Sequence, residues 1–371
     1  MAYAKGLEGV VAGETAISHV EGDIGRLSYR GYAIEELVKQ DYATVMWLVL
    51  FGELPTAAEK ADLEGFLATH GEILKAETRV LEVMPTGLHP MRMLQSVIPL
   101  LQLDPEVSFR SLDEEAVQGL QIVARMPSLI AAFHRITTTG SLPAFDADME
   151  YLENFLTMFT GQEAMPEHVD ILKVVQILQM EHSFNAGTFT GRVVASTLAP
   201  VDAVFSSAVG ALFGILHGGA DEAALNDAKT VARPEAAAAF IDDLLARKGK
   251  LMGMGHREYR KVDPRALILK PLAVQLCTGT PYQNHFDTLV ALETAFNQAM
   301  QAKGKEVWAN LEFYKGAVYE AIGIPSRYFT SVFALSRVIG WLAHFMESRL
   351  DNRIIRPRAE YVGPAHRTIA V

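Results

Sequence analysis

A mainly α-helical fold is what the sequence predicts, on three observations. Apolar residues recur at helical spacing over long stretches. Alternating strand-like patterns are scarce, and proline and glycine punctuate the chain between the periodic runs, as in GELPT and GIPS. With 371 residues, 50% of them hydrophobic, the chain is long enough to bury a sizeable core and to divide into more than one domain.

The elements follow in order. From Val10 to Tyr29 the chain alternates, with turn residues at Glu21, Gly22 and Asp23, so a small hairpin is expected there. Helical periodicity then marks Ala61 to Leu74, Ala116 to Ile136 and Val169 to Gln179. The apolar tract from Val193 to Leu216 contains Pro200 and Asp202, which leaves too short a clean run for a membrane span, and we read it as a buried helix. Small residues line one face of it: Ser206, Gly210 and Gly214, with Ala203, Ser207 and Ala211 beside them. Such a face packs closely against a helix of the same chain or against its own copy in a second subunit. From Ala220 to Lys250 the sequence turns alanine-rich and charged, which suggests a domain boundary near Gly218 and Gly219. A last helix runs from Phe329 to Arg349.

The net charge of -11 and a pI near 5.5 argue against a general attraction to nucleic acid or an anionic membrane. The single cysteine, Cys277, has no partner for an intramolecular disulfide, and MAYAKGLEGVV lacks the features of a secretory signal, so a cytoplasmic location is expected.

Against that acidic background the arginines stand out. Arg337 lies within SVFALSRVIGWLAHF, apolar around most of its circumference, where an unpaired guanidinium is costly, so an anionic partner is expected. Arg349, Arg353, Arg356 and Arg358 follow with no lysine among them, and the arginine fork matches carboxylate or phosphate. Either they form a polyanion site or they pair with Glu347, Asp351 and Glu360. His217, before Gly218 and Gly219, is placed at a helix C-terminus, where glycines with φ above zero let a ligand approach; alternatively it only caps the helix. His256 sits in MGMGHREYRKVDPR among Lys248, Lys250, Arg257, Arg260 and Lys261, which suits a phosphate-bearing ligand or a solvated basic loop. His182 in QMEHSFNAG and Glu312 in NLEFYKG complete the set. No HExxH spacing or Cys/His cluster points to a metal.

These residues fall into longer motifs. EGDIGRLSYRGYAIEEL, GELPT, HPM at His89, NAGTFTGRVVASTL, LHGGADEA, GMGHREYRKVDPRA, FYKGAVYEAIGIP and DNRIIRPRAEYVGP together resemble the citrate synthase family from about residue 6 to residue 364. The resemblance implies an almost entirely helical, two-domain, obligate homodimer. Its large domain would comprise 1–217 and 318–371, and its small domain, 218–317, would close over the substrates. It implies condensation of acetyl-CoA with oxaloacetate, then hydrolysis of the citryl thioester, with no metal and no tightly bound cofactor, the acyl-CoA entering as co-substrate.

Residue by residue, the resemblance makes Glu312 the base that removes a methyl proton, His217 the group that stabilises the enolate, and His256 the group that acts on the oxaloacetate carbonyl. His182, Arg265, Arg337 and Arg356 would hold the oxaloacetate carboxylates, Arg356 from the neighbouring subunit. Leu251, Met252, Gly253, Met254 and Gly255 would lie along CoA, with Arg260 and Arg358 at its phosphates. Three departures from the pattern matter. The base is normally aspartate in a segment like NVDFYSG, whereas this chain has Glu312 in NLEFYKG; Gln179 stands where many members have histidine; Gly187 stands for a frequent serine in NAST. An extra methylene displaces the carboxylate by about an ångström, and such misplacement costs about a hundredfold in rate. The resemblance therefore leaves two further readings: the same chemistry on propionyl-CoA, as in 2-methylcitrate synthase, or a weakly active binding or regulatory protein.

Overall fold

A computed structural model describes residues 4–369. Met1 to Tyr3, the start of the stretch read for a signal, lie outside that range. The chain opens with a three-stranded antiparallel sheet, β1 (Ser18–Glu21), β2 (Arg26–Tyr29) and β3 (Tyr32–Ala33), with Glu21 paired to Arg26 and Ser18 to Tyr29. The expected hairpin is there, but its strands begin only at Ser18. Helices follow: α1 (Ile34–Leu37), α2 (Tyr42–Phe51), α3 (Ala57–His70), α4 (Lys75–Glu82), α5 (Pro90–Val97), α6 (Glu114–Thr139), α7 (Tyr151–Thr160), α8 (Pro166–Gln179), α9 (Ala186–Ala195) and α10 (Val201–Leu212). The second half adds α11 (Ala220–Val231), α12 (Ala237–Ala246), α13 (Pro264–Cys277), α14 (Gln283–Gln301), α15 (Leu311–Ala321) and α16 (Phe329–Leu350).

Local chemistry sets the boundaries that periodicity misjudges. α3 starts and ends four residues earlier than the apolar pattern suggests. Thr56 accepts from the Glu59 N–H at 3.3 Å while the Glu59 carboxylate accepts the Thr56 N–H at 2.9 Å, a reciprocal cap that starts the helix at Ala57. The tract from Val193 to Leu216 is not one helix. It is broken between Ala195 and Val201, where Pro200 caps α10, and helical structure ends at Leu212, so Gly214 lies beyond the small-residue face.

α16 forms the centre of the fold. Every residue from Phe329 to Phe345 is buried, and the helix packs against α2, α6, α8, α9 and α10. α6 and the segment Ser326–Leu350 are long and apolar enough to cross a membrane, but 94% of each apolar window is buried within the fold. One buried ion pair ties α6 to α4, with Arg125 meeting Glu77 at 2.6 Å. α11 packs on α14 and α15, and α15 packs on α13.

The sheet has a positional role. A Cβ at Gly22, in the hairpin turn, would stand 2.0 Å from the Glu258 carbonyl oxygen, and the Gly22 carbonyl accepts the Arg260 N–H at 3.0 Å. Only glycine lets the turn press this closely against the segment that carries His256.

Candidate active site

The end of α8, the turn between α10 and α11, the starts of α9, α13 and α15 and the loop that carries His256 converge beside α16. His182 follows α8. Its Nε2 lies 3.1 Å from the Tyr259 hydroxyl, and its ring sits edge-on to that of His256 with centroids 5.3 Å apart. Burial and the nearby Arg265 charge hold His182 well below its usual 6.5, so it is neutral.

His256 is fixed by its own loop. Its Nδ1 accepts the N–H groups of Glu258 at 3.0 Å and Tyr259 at 3.2 Å. Burial, with Arg265 adding to it, pushes the ring down to about 4. Nδ1 is thus the acceptor and the proton resides on Nε2, which makes His256 a neutral donor. The preceding loop, Leu251 to Gly255, runs against the start of α15. Gly253 has φ +78, and a Cβ there would stand 2.8 Å from the Phe313 Cα. The Gly253 carbonyl accepts the Asn310 N–H at 2.9 Å, and the Gly255 carbonyl accepts from Asn310 Nδ2 at 2.8 Å. Asn310 in turn caps α15, its Oδ1 accepting the Glu312 N–H at 3.0 Å. The loop therefore places the carboxylate.

His217 lies in the turn between α10 and α11, five residues past the end of α10, rather than capping it; neither Gly218 nor Gly219 adopts the left-handed region. Gly218 is needed for another reason: a Cβ there would stand 2.6 Å from the Leu212 carbonyl oxygen. His217 Nε2 lies 3.4 Å from the Gly187 amide and 3.2 Å from Asn185 Oδ1. That oxygen already accepts the Thr188 N–H as the cap of α9, whereas the Gly187 amide, in the first turn, needs an acceptor. We therefore place the His217 proton on Nδ1. Burial, reinforced by Arg337, pushes this ring down to about 4 as well.

Glu312 stands on the first turn of α15. Burial alone would raise its carboxyl, but the Lys315, Arg265 and Arg337 charges outweigh it and hold the group below its ordinary value. It is ionised at neutral pH. Arg265 is engaged by Asp263 in a two-pronged pair, Nε to Oδ1 at 3.0 Å and Nη2 to Oδ2 at 2.8 Å. Arg337 is hydrogen-bonded to no carboxylate among the described residues. Its Nε donates to the Gln179 carbonyl at 2.7 Å, its guanidinium carbon lies 4.7 Å from the Phe333 ring centroid, and its Nη1 is buried without a hydrogen-bond partner. Glu181 is the anion that acts most strongly on it, and that carboxylate is bound through Oε1 to Ser18 and His344, each at 3.0 Å.

Other expected residues lie elsewhere. Arg260 pairs with Asp23 at 3.1 Å, with both side chains exposed. Arg353, Arg356 and Arg358 are exposed on a tail without regular structure, and Arg356 donates to the neighbouring Pro357 carbonyl at 2.6 Å. Arg349 pairs with Glu115 at 3.1 Å, and Glu347 with Arg192 at 2.6 Å, so the anticipated bridges within the tail are replaced by bridges to other helices. Among the described residues no group of His, Cys, Asp and Glu is arranged to hold a metal ion.

Sequence reading missed Tyr259, Asp263, Glu181, Asp221 and above all Lys315. Lys315 has no exposed surface; its Nζ lies 3.3 Å from Asp221, 3.4 Å from Glu312 and 3.3 Å from Gln179 Oε1. The available signal was a lysine one helical turn after the candidate base, in FYKG.

The site can therefore offer two neutral imidazole donors, one carboxylate acceptor and one unsatisfied buried guanidinium. Known proteins resemble this chain over nearly its whole length. The sequence pattern of the family described as "Citrate synthase, C-terminal domain" matches residues 6–358. A citrate synthase of Synechocystis is 38% identical over 97% of this chain and 91% of its own length. A 2-methylcitrate synthase of Shewanella oneidensis is 36% identical over 98% of this chain and 96% of its own. Among solved structures, a ternary complex of carboxymethyl coenzyme A and oxaloacetate with citrate synthase from Thermoplasma acidophilum superposes with a TM-score of 0.91 at 31% identity, over 100% of this chain and 98% of that one. Citrate synthase from Thermotoga maritima gives 0.88 at 32% identity, over 99% and 97%.

Proposed function

The chain belongs to the citrate synthase family, and from that premise we propose that it condenses acetyl-CoA with oxaloacetate and hydrolyses the citryl thioester to citrate and CoA. The observation that carries this reading is Arg337: a guanidinium buried in an apolar helix, with Nη1 unpartnered, in the same electrostatic neighbourhood as His217 and Glu312. A substrate carboxylate would supply the missing acceptor.

In this reading Glu312 accepts a proton from the acyl methyl group. His217 Nδ1–H stabilises the charge that develops on the thioester oxygen, an interaction stronger in the transition state than in the ground state. His256 Nε2–H donates to the oxaloacetate carbonyl as the new C–C bond forms. Both imidazoles are neutral, which suits donors to a developing oxyanion: each gives a hydrogen bond without first having to lose a charge. His182, Arg265 and Arg337 would hold the oxaloacetate carboxylates, and the loop Leu251 to Gly255 would lie along CoA.

The same reading takes residues 218–317 as a small domain closing on the rest, and a homodimer in which Arg356 completes the site of a second copy. The exposure of Arg356 and the half-exposed small-residue face of α10 support it. A cytoplasmic location fits the buried, unpaired Cys277. Propionyl-CoA is the alternative substrate, supported by the similarity to a 2-methylcitrate synthase. Steady-state CoA release from purified protein with oxaloacetate and either thioester tests both. Faster turnover of acetyl-CoA is expected, a preference for propionyl-CoA would reassign the substrate, and no release from either would overturn the enzymatic reading.

A further inference from the structure

A lysine with no exposed surface is rare, and one that keeps its charge needs anions around it. Lys315 has two, Asp221 Oδ2 at 3.3 Å and Glu312 Oε1 at 3.4 Å, with Gln179 Oε1 at 3.3 Å and its Nζ 4.0 Å from the Phe333 ring centroid. One ammonium against two carboxylates leaves one negative charge in excess. The carboxylates are not equivalent. Asp221 is wholly buried, its Oδ1 held by the Glu222 N–H at 2.7 Å, and Oδ2 has no hydrogen-bond partner, with Lys315 as its nearby cation. Glu312 retains some exposure, 13% of its side chain.

Two departures from the family pattern meet at the lysine. Against NVDFYSG, the segment NLEFYKG changes aspartate to Glu312 and serine to Lys315, and Gln179, where histidine is frequent, accepts from the same Nζ. A longer base and a buried cation one turn further along α15 therefore occur together.

We infer that Lys315 is the positioning residue for the base: it draws the Glu312 carboxylate back along α15 toward α11, taking up the reach of the extra methylene, while Asp221 serves as the lysine's counter-anion. The inference rests on Glu312 being the base. In the step it serves, a C–H bond of the acyl methyl group breaks, the proton passes to a Glu312 oxygen, and the electron pair moves onto the thioester oxygen facing His217. Protonation of Glu312 leaves Lys315 and Asp221 as a matched pair, so the buried ammonium is never stranded and the excess negative charge moves from the carboxylate to the enolate. Lys315 also ties α15 to the turn that carries His217, because Asp221 lies four residues beyond that histidine on α11.

The test compares the wild type with Lys315→Met, Asp221→Asn/Lys315→Met, Glu312→Asp and Glu312→Asp/Lys315→Ser. The readouts are kcat and kcat/KM against pH, calorimetric oxaloacetate affinity, and the carbon-13 titration of the Glu312 carboxyl assigned by its loss in Glu312→Gln. Lys315→Met is expected to lower kcat about tenfold to a hundredfold and to raise the acid-limb pKa by about one pH unit or more, with oxaloacetate affinity unchanged within about twofold. If that variant folds poorly because two buried carboxylates are left together, Asp221→Asn/Lys315→Met removes the opposite charges at once and shows the same loss of kcat. Glu312→Asp/Lys315→Ser is expected to exceed Glu312→Asp in kcat. A kcat for Lys315→Met within about twofold of wild type, with an unmoved acid limb, overturns the inference and makes the lysine a packing element. Absence of CoA release from the wild type would instead remove the base assignment; the carboxyl titration then decides the lysine's hold on Glu312, and identical titration with and without Lys315 overturns it.

Discussion

Arg337 Nε donates to the main-chain carbonyl of Gln179 at 2.7 Å, and this one bond anchors a guanidinium whose Nη1 has no acceptor. A buried donor without a partner costs about 1–3 kcal/mol, more for a charged group, so the fold carries a penalty that a bound carboxylate removes. Arg337→Leu should therefore abolish measurable oxaloacetate binding, a loss of about 2–5 kcal/mol. It should also lower the thermal midpoint, because Ser18 and His344 both bind Glu181 Oε1, and the buried carboxylate, whose Oε2 has no partner, loses the Arg337 charge. Calorimetry and a melting curve on the same preparation check both halves; unchanged affinity would remove Arg337 from the site.

Replacing Glu312 separates the base from the binding groups. Glu312→Gln keeps the shape but cannot accept the proton, and kcat should fall by about a hundredfold or more while oxaloacetate affinity holds. Glu312→Asp keeps the chemistry but withdraws the carboxylate from a setting that includes Lys315 at 3.4 Å, and about a tenfold to hundredfold fall in kcat is expected. Wild-type kcat in Glu312→Gln would move the base to another residue.

The helical class and the position of α16 were legible in the sequence, and so were Arg337, His182, His217, His256 and Glu312 as a set of residues that the fold brings into one neighbourhood, because each depends on periodicity or on a local motif. What was not legible depends on contacts distant in sequence. No spacing rule connects Asp221 with Lys315, or Glu181 with Ser18 across 163 positions. The anionic partner expected of Arg337 is not among its hydrogen-bond partners in the chain, because the rule that buried charge must be paired does not say whether the partner comes from the chain or from a ligand. The break between α9 and α10 was missed because an apolar run reads as continuous until its cap is recognised.

The glycine loop that supports α15 offers a structural test. Gly253 has φ +78, and a Cβ would stand 2.8 Å from the Phe313 Cα, an atom of the backbone that cannot swing away. Gly253→Ala should cost about 1–3 kcal/mol of stability. The displaced loop would also shift Asn310, and with it the cap that holds the Glu312 amide. A fall in kcat larger than any change in oxaloacetate affinity is the expected signature, whereas an intact melting curve would show that the loop relaxes freely.

Acid should destabilise the protein well above the usual carboxylate range. Burial pushes His134, His217 and His256 down to about 4 and His182 well below its ordinary 6.5. Between about 6.5 and about 4 the unfolded chain binds protons that the folded chain refuses, so stability present above pH 6.5 is lost as pH falls through that window. Asp221 acts the other way. Its carboxyl is pushed up to about 6 by burial, against the pull of Lys315, so folding takes up a proton there between about 3.8 and 6 and gains stability on acidification. Burial also lowers His70 and His89 and raises Glu222 and Asp227, so three carboxyls oppose six imidazoles, and the thermal midpoint should decline from pH 7 to pH 5. His134 isolates the effect away from the catalytic groups, since its ring stacks on Phe159 at 4.1 Å with an interplanar angle of 9° and its Nδ1 has no partner. His134→Phe should raise the midpoint at pH 5 relative to wild type and change it little at pH 8. An equal shift at both values would mean that the substitution alters packing rather than proton uptake, and a flat wild-type profile between pH 7 and pH 5 would mean that these rings take up protons without disturbing the fold.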